Sequence, residues 1–146
     1  MFLENFAMKK HLLILLAAVT FTACDKENFN NKNPYIPNYS FSEEINRNLP
    51  AYSALNFPSN AIYYGGGGVR GLIVFNSGGG GYKAYDAACP NQELSSCSTM
   101  TINGINAKCA CDDVEYSLFT GQAQGMQYPM KEYRVEVVGS IIRVYN

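Results

Sequence analysis

Four cysteines, Cys89, Cys97, Cys109 and Cys111, fall within one stretch running from Tyr85 to Gly121. Cysteines gathered in this way hold a metal, cross-link the chain, or exchange thiols with disulfides. Structural zinc favours thiolate pairs separated by two to four residues. Here seven residues separate Cys89 from Cys97 and one separates Cys109 from Cys111. A helix N-terminus or a nearby histidine lowers the pKa of a reactive thiol, and Cys109-Ala110-Cys111 has neither a helical pattern nor a histidine beside it. Disulfides suit an even number of cysteines in an oxidising compartment. A four-thiolate site for zinc or iron and an exchange-active dithiol stay open beside that reading. Asp112, Asp113 and Glu115 carry charge that attracts a hard cation, although acids on an exposed β loop are ordinarily just solvated.

The compartment is read from the other end of the chain. Met8-Lys9-Lys10 opens a basic start, an apolar run covers Leu12 to Val19, and Phe21-Thr22-Ala23 leads into Cys24. This pattern is a secretory signal, with an apolar run too short to span a bilayer. Phe21-Thr22-Ala23-Cys24 resembles a bacterial lipoprotein cleavage box, which implies removal of residues 1–23 and lipidation of Cys24. Asp25-Lys26-Glu27 resembles the charged sorting tags of some envelope lipoproteins. The expected address is the cell envelope, at the outer membrane, with the lipid anchor as the membrane partner. Cleavage removes Lys9, Lys10 and Glu4, so a net charge of −1 becomes one unit more negative. Without a basic run, nucleic acid is excluded as a partner. Cleavage also removes His11, the one histidine of the sequence.

Residues 25–48 are rich in asparagine and lack a clean hydrophobic period. The expectation is a flexible tether over residues 24–44, dispensable for folding because it offers little apolar surface, followed by one domain over residues 45–146. A short helix is conceivable over residues 41–48, with Ser42 as cap and Glu43 and Glu44 in its first turn. From Ala61 onward the punctuation is all-β: strands are expected at 61–64, 69–75, 82–85, 99–102, 105–108, 114–118, 132–138 and 141–145. Tyr133, Val135 and Val137 alternate with charged residues, as in a strand with one buried face. Gly139-Ser140 and Asn103-Gly104 read as hairpin turns. Gly66-x-Gly68-x-x-Gly71 matches a dinucleotide fingerprint in letters only, because a strand and not a helix follows it. Gly78 to Gly81 reads as a hairpin loop between two strands.

Within this all-β chain, Cys89-Pro90-Asn91 and Cys109-Ala110-Cys111-Asp112-Asp113, with Tyr116 and Gly121 beyond, resemble the two loops of a Rieske 2Fe–2S domain. That family's loops read Cys-Pro-His and Cys-x-Cys-His-Gly, so Asn91 and Asp112 stand at both histidine positions and Asp113 at the glycine. The resemblance covers about Leu55 to Val144. It implies a Rieske-like antiparallel β-sandwich base with a small two-loop subdomain at about residues 86–121. It further implies that Cys89 and Cys109 occupy the cluster's thiolate positions and that Cys111 occupies the family's disulfide position, with Cys97 as its partner. Cys89 and Cys109 would then face each other where the cluster would lie and can pair as well. A Rieske centre takes two cysteines on one iron and two histidines on the other. Asn91 and Asp112 do not replace two imidazoles, so no cofactor is expected.

The function expected is that of a non-catalytic envelope lipoprotein module, for structure or for binding a protein partner. The alternative is an electron-transfer protein holding a 2Fe–2S cluster or a single metal ion through Cys89, Cys97, Cys109 and Cys111. Tyr63, Tyr64, Tyr82, Tyr85, Tyr116 and Tyr128 are candidates for a contact surface or for half-buried strand positions. The anchor is testable directly. Wild-type protein should incorporate labelled fatty acid, and Cys24→Ala should move the domain to the soluble envelope fraction, because stable anchoring needs more than one acyl chain. A wild-type protein that takes up no label would show that the anchor is absent.

Overall fold

β-branched and aromatic runs separated by glycine turns become nine strands among the described residues, 31–146, of the computed structural model. The signal-like segment, Cys24 and Asp25-Lys26-Glu27 lie outside the described residues. The strands are β1 (Ser42–Asn46), β2 (Ala61–Tyr64), β3 (Leu72–Gly78), β4 (Gly81–Asp86), β5 (Met100–Asn103), β6 (Asn106–Cys109), β7 (Glu115–Ser117), β8 (Glu132–Val138) and β9 (Ile141–Tyr145). A six-stranded sheet has the order β1-β9-β8-β4-β3-β2, and a three-stranded sheet has the order β5-β6-β7. Every pairing is antiparallel. The all-β class, and a base sheet with a smaller sheet carrying the cysteine loops, are as the sequence led us to expect.

β1 and β2 close the six-stranded sheet on itself. They stand at opposite ends of its strand order, yet the Tyr64 hydroxyl donates to Glu43 Oε2 at 3.0 Å. Such curling follows from the right-handed twist of strands. It also makes β3 a shared wall. Leu72 and Val74 point into a core with Ile45, Leu55, Tyr133 and Ile142, whereas Ile73 and Phe75 point into a second core with Tyr85, Cys89, Cys109 and Tyr116. All four β3 side chains are fully buried, which is why this strand reads as a continuous apolar run and not as an alternation.

Turn chemistry fixes the hairpins. β8 and β9 pair Val138 with Ile141 around Gly139-Ser140, as expected. In β3–β4 the loop residues Gly79 and Gly80 have φ of 61° and 82°, as a two-residue turn with both centres at positive φ requires. The β5–β6 turn differs from expectation by one position. Asn103 pairs with Asn106, so the turn residues are Gly104 and Ile105, and Ile105 is left exposed. β3 also starts later than its apolar run, because the Val69 and Arg70 N–H groups are engaged elsewhere.

The boundary of the domain differs most from the sequence reading. Of the stretch taken as a tether to residue 44, the described part from Asn31 on makes contacts with the domain, and residues 42–46, expected within a short helix over 41–48, are strand β1, paired along its length with β9. Ile36 is buried, and Phe41 meets the Tyr133 ring edge-on at 4.7 Å between centroids. Lys131 is buried, and its ammonium donates to Asn31 O and Asn38 Oδ1. Burial pulls the Lys131 pKa below the usual lysine value, with nearby Asp86 acting in the opposite sense. A stretch that looks like solvated linker thus satisfies a buried ammonium, through one backbone carbonyl and one asparagine side chain. A short 3-10 helix, Pro50–Asn56, was not foreseen; it drives Leu55 into the core that holds Ile45, Ile62, Leu72, Val74 and Ile142. A chain beginning at Phe41 should therefore melt cooperatively but at lower denaturant than one beginning at Asn31. The lost burial of Ile36 alone is worth about 1.5–3 kcal/mol. Equal midpoints for the two chains would show that residues 31–40 do not belong to the folded unit.

Candidate functional site

The first cysteine loop leaves β4 through Asp86, whose carboxylate is fully buried. Its Oδ2 accepts from Val69 N at 2.6 Å and from the Tyr133 hydroxyl at 2.7 Å. Its Oδ1 accepts from Arg70 N at 3.2 Å and from Ala88 N at 2.8 Å. A buried carboxylate is tolerated only when its lone pairs are met in this way. Glycine is needed at 68, where φ is 62° and an added Cβ would stand 2.7 Å from Asp86 Oδ2. The glycine loop therefore wraps an internal carboxylate and not a nucleotide phosphate.

Beyond Asp86, Cys89 is bonded to Cys109, with Cα atoms 5.6 Å apart. Cys97 is bonded to Cys111, with Cα atoms 5.1 Å apart. Cys97–Cys111 is the bridge that the resemblance implied, and Cys89–Cys109 is the pairing that it left open. They join the first loop to the second at two levels: Cys89 and Cys109 belong to a buried core, and Cys97 lies at the surface. Gln92 Nε2 donates to Cys109 Sγ.

The two residues at histidine positions do different things. Asn91 is fully used: its Nδ2 donates to the Tyr116 hydroxyl at 2.9 Å and to Tyr128 O at 2.7 Å, and its Oδ1 accepts from Tyr128 N at 2.9 Å. It staples the first loop to the loop before β8. Asp112 is exposed, and its Oδ1 accepts from Val114 N. Asp113 stands in the left-handed region with φ of 60°, the backbone state that a glycine would fill most easily. Its carboxylate meets Lys108 Nζ at 2.8 Å. Glu115, the third acid of this stretch, accepts from Asn103 and Asn106 and does not converge with Asp112.

Two further contacts were not visible in the sequence. Asn33 Nδ2 donates to Pro90 O at 2.8 Å, and Tyr35 meets Tyr128 edge-on at 6.0 Å. The segment before β1 therefore lies against the first cysteine loop and the loop before β8. No hydrophobic period marks it, and only its asparagines hinted at local turns. Of the six tyrosines singled out, Tyr85 and Tyr116 are core residues and Tyr63 is the exposed one. Tyr63 lies on a shallow apolar groove of about 290 Å³ shared with Thr99, Met100, Thr101 and Ile102.

The donor set does not fit a cluster ligated by two cysteines and two histidines. Cys89 and Cys109 are bonded to each other, Asn91 donates both amide protons and accepts one N–H, and Asp112 Oδ1 accepts from Val114 N. Among the described residues, no group of three or more His, Cys, Asp or Glu side chains is placed to hold a metal ion.

Comparison with known proteins gives structural likenesses only. The chain is similar to one in a complex of reduced oxygenase and oxidized ferredoxin in carbazole 1,9a-dioxygenase, at 21% identity and a TM-score of 0.44, over 60% of this chain and 82% of that one. It is also similar to a Sphingomonas yanoikuyae B1 ferredoxin, at 17% identity and a TM-score of 0.44, over 62% of this chain and 88% of that one. No protein-family model and no curated protein matches the sequence.

The Asp86 network sets an alkaline limit on the fold. Burial, then the charge of Asp86 and the hydrogen bond to it, raise the Tyr133 pKa above the ordinary tyrosine value. The native chain thus keeps a proton that the unfolded chain releases above about pH 10, so stability falls as pH rises, by about 1.4 kcal/mol per pH unit per such group. Tyr85 adds to the slope, since burial and then Glu132 raise its pKa too. Tyr133→Phe should cost about 1–3 kcal/mol at neutral pH, by leaving Asp86 short of a donor, and should make the alkaline slope shallower by one proton. Urea melts from pH 7 to 11 measure both, and an unchanged slope would contradict the assignment.

Proposed function

We propose that this chain is a Rieske-like β domain in which two disulfides and an asparagine staple replace the cluster, carried on a lipoprotein anchor as a non-catalytic envelope module. The observation that supports it most is the state of the positions that would ligate iron. Cys89 and Cys109 are bonded to each other, and Asn91 spends its donor and acceptor atoms on Tyr116 and Tyr128. An amide with both N–H protons donated and its oxygen already accepting a backbone N–H is held in place and is a poor iron ligand. The four-thiolate alternative needs all four sulfurs free, and each is bridged. Cross-links are also what a small exported domain uses when its core is limited. The anchor and envelope address rest on the sequence through Cys24.

Carefully purified wild-type protein should be colourless, with no stoichiometric iron or acid-labile sulfide and no free thiol among the four loop cysteines. Absorbance, metal and sulfide assays and a thiol count under denaturing conditions measure this. Iron and sulfide in stoichiometric amounts would overturn the reading. The variant Asn91→His with Asp112→His, expressed where clusters are assembled, is the one to test for regained iron.

A further inference from the structure

The two bridges differ in their access to solvent. Cys89 and Cys109 are 1% and 0% exposed. Cys97 is exposed and Cys111 half-buried. Ser95 Oγ lies 3.3 Å from Cys97 Sγ and 3.6 Å from Cys111 Sγ, so one hydroxyl reaches both sulfurs of the outer bridge. We propose that Cys97–Cys111 is a thiol–disulfide exchange site, opened by a dithiol partner and closed again by the disulfide form of such a partner, while Cys89–Cys109 stays closed. The proposal shares with the reading above the premise that the four sulfurs are bridged, and goes beyond it in giving one bridge a chemistry.

Disulfide exchange proceeds by attack of a thiolate on one sulfur of the bridge. A thiolate of the dithiol attacks exposed Cys97 Sγ. A new S–S bond forms there, the Cys97–Cys111 bond breaks, and its electron pair leaves on Cys111 Sγ. Ser95 can donate its hydroxyl proton in a hydrogen bond to that departing thiolate, a charge-assisted contact that favours the leaving group. The second thiol of the partner, as thiolate, then attacks the mixed disulfide and releases Cys97. The partner ends as its disulfide, two electrons have moved to this chain, and the two thiol protons of the partner finish on Cys97 and Cys111.

Opening the outer bridge leaves the loop supported. Ser95 N donates to Ser98 Oγ, Ser98 Oγ to Ser95 O, and Arg70 Nη2 to Ser95 O. Cys89 N donates to Ser98 O and Met100 N to Ala87 O. The inner bridge still joins the two loops. What loses a restraint is the exposed Ser96-Cys97 end of the loop, beyond the hydrogen-bonded Ser95.

The test treats the full chain, purified with its disulfides intact, with graded dithiothreitol in the absence of denaturant. Acid quenching, alkylation before and after complete reduction, and peptide mass spectrometry then report each cysteine. Cys97 and Cys111 are expected to be alkylated at least tenfold sooner than Cys89 and Cys109, with the near-ultraviolet tyrosine signal unchanged while only that pair has opened. Ser95→Ala should slow the opening of the outer bridge several-fold and leave the inner bridge's opening in denaturant unaltered. Equal rates for all four cysteines, or opening of the outer bridge only when the tyrosine signal is lost, would overturn the proposal. A wild-type rate in Ser95→Ala would remove the hydroxyl's role. An iron and sulfide assay on the same preparation keeps failure here distinct from failure of the cluster-free reading.

Discussion

One buried carboxylate holds the parts of this domain in register. Asp86 sits at the end of β4, where the chain leaves the main sheet for the first cysteine loop, and accepts from two amides of the glycine loop, one of its own loop and one hydroxyl of β8. A charge placed there without partners would cost several kcal/mol. The backbone at Val69 and Arg70, the small residue at position 68 and the tyrosine at 133 are therefore one solution to one requirement. Because Asp86 stands three residues before Cys89, the same network fixes where the inner disulfide begins.

In the reading proposed above, the loops that follow keep a metal cradle's layout with different chemistry inside it. A cluster joins two loops through bonds to iron. Here the sulfurs join directly, and Asn91 joins the first loop to Tyr116 and to the loop around Tyr128. Both arrangements restrict loop motion, but only a cluster carries an electron at a tuned potential. The segment before β1 adds to the restraint through Asn33 and Tyr35.

The parts that were legible in the sequence are those whose signal is local. β2, β8 and β9 fall where their β-branched and aromatic runs place them, since a hairpin needs only an alternating pattern and a turn. The cysteine loops were legible because few residue types serve there. β1 was not: in Ser-Glu-Glu-Ile-Asn only Ile45 is buried, and its place in the sheet comes from pairing with β9, almost a hundred residues later. Residues 31–39 were misjudged for a related reason. Their order comes from hydrogen bonds to Pro90, Lys131 and Asn146, which composition does not display. Asp86 carries no periodic signal at all, and Asn91 read only as a missing ligand until its three partners were in view.

The alternation along β3 has a consequence for how the domain fails. Leu72 and Val74 serve one core while Ile73 and Phe75 serve the other, so four successive residues form a party wall with tenants on both sides. Neither core can loosen without shifting the backbone from which the other is hung. The cysteine loops and the closed end of the sheet, though far apart in the chain, therefore share one cooperative fate. Whatever strain reaches the inner disulfide is carried by the whole sheet and not by its own loop.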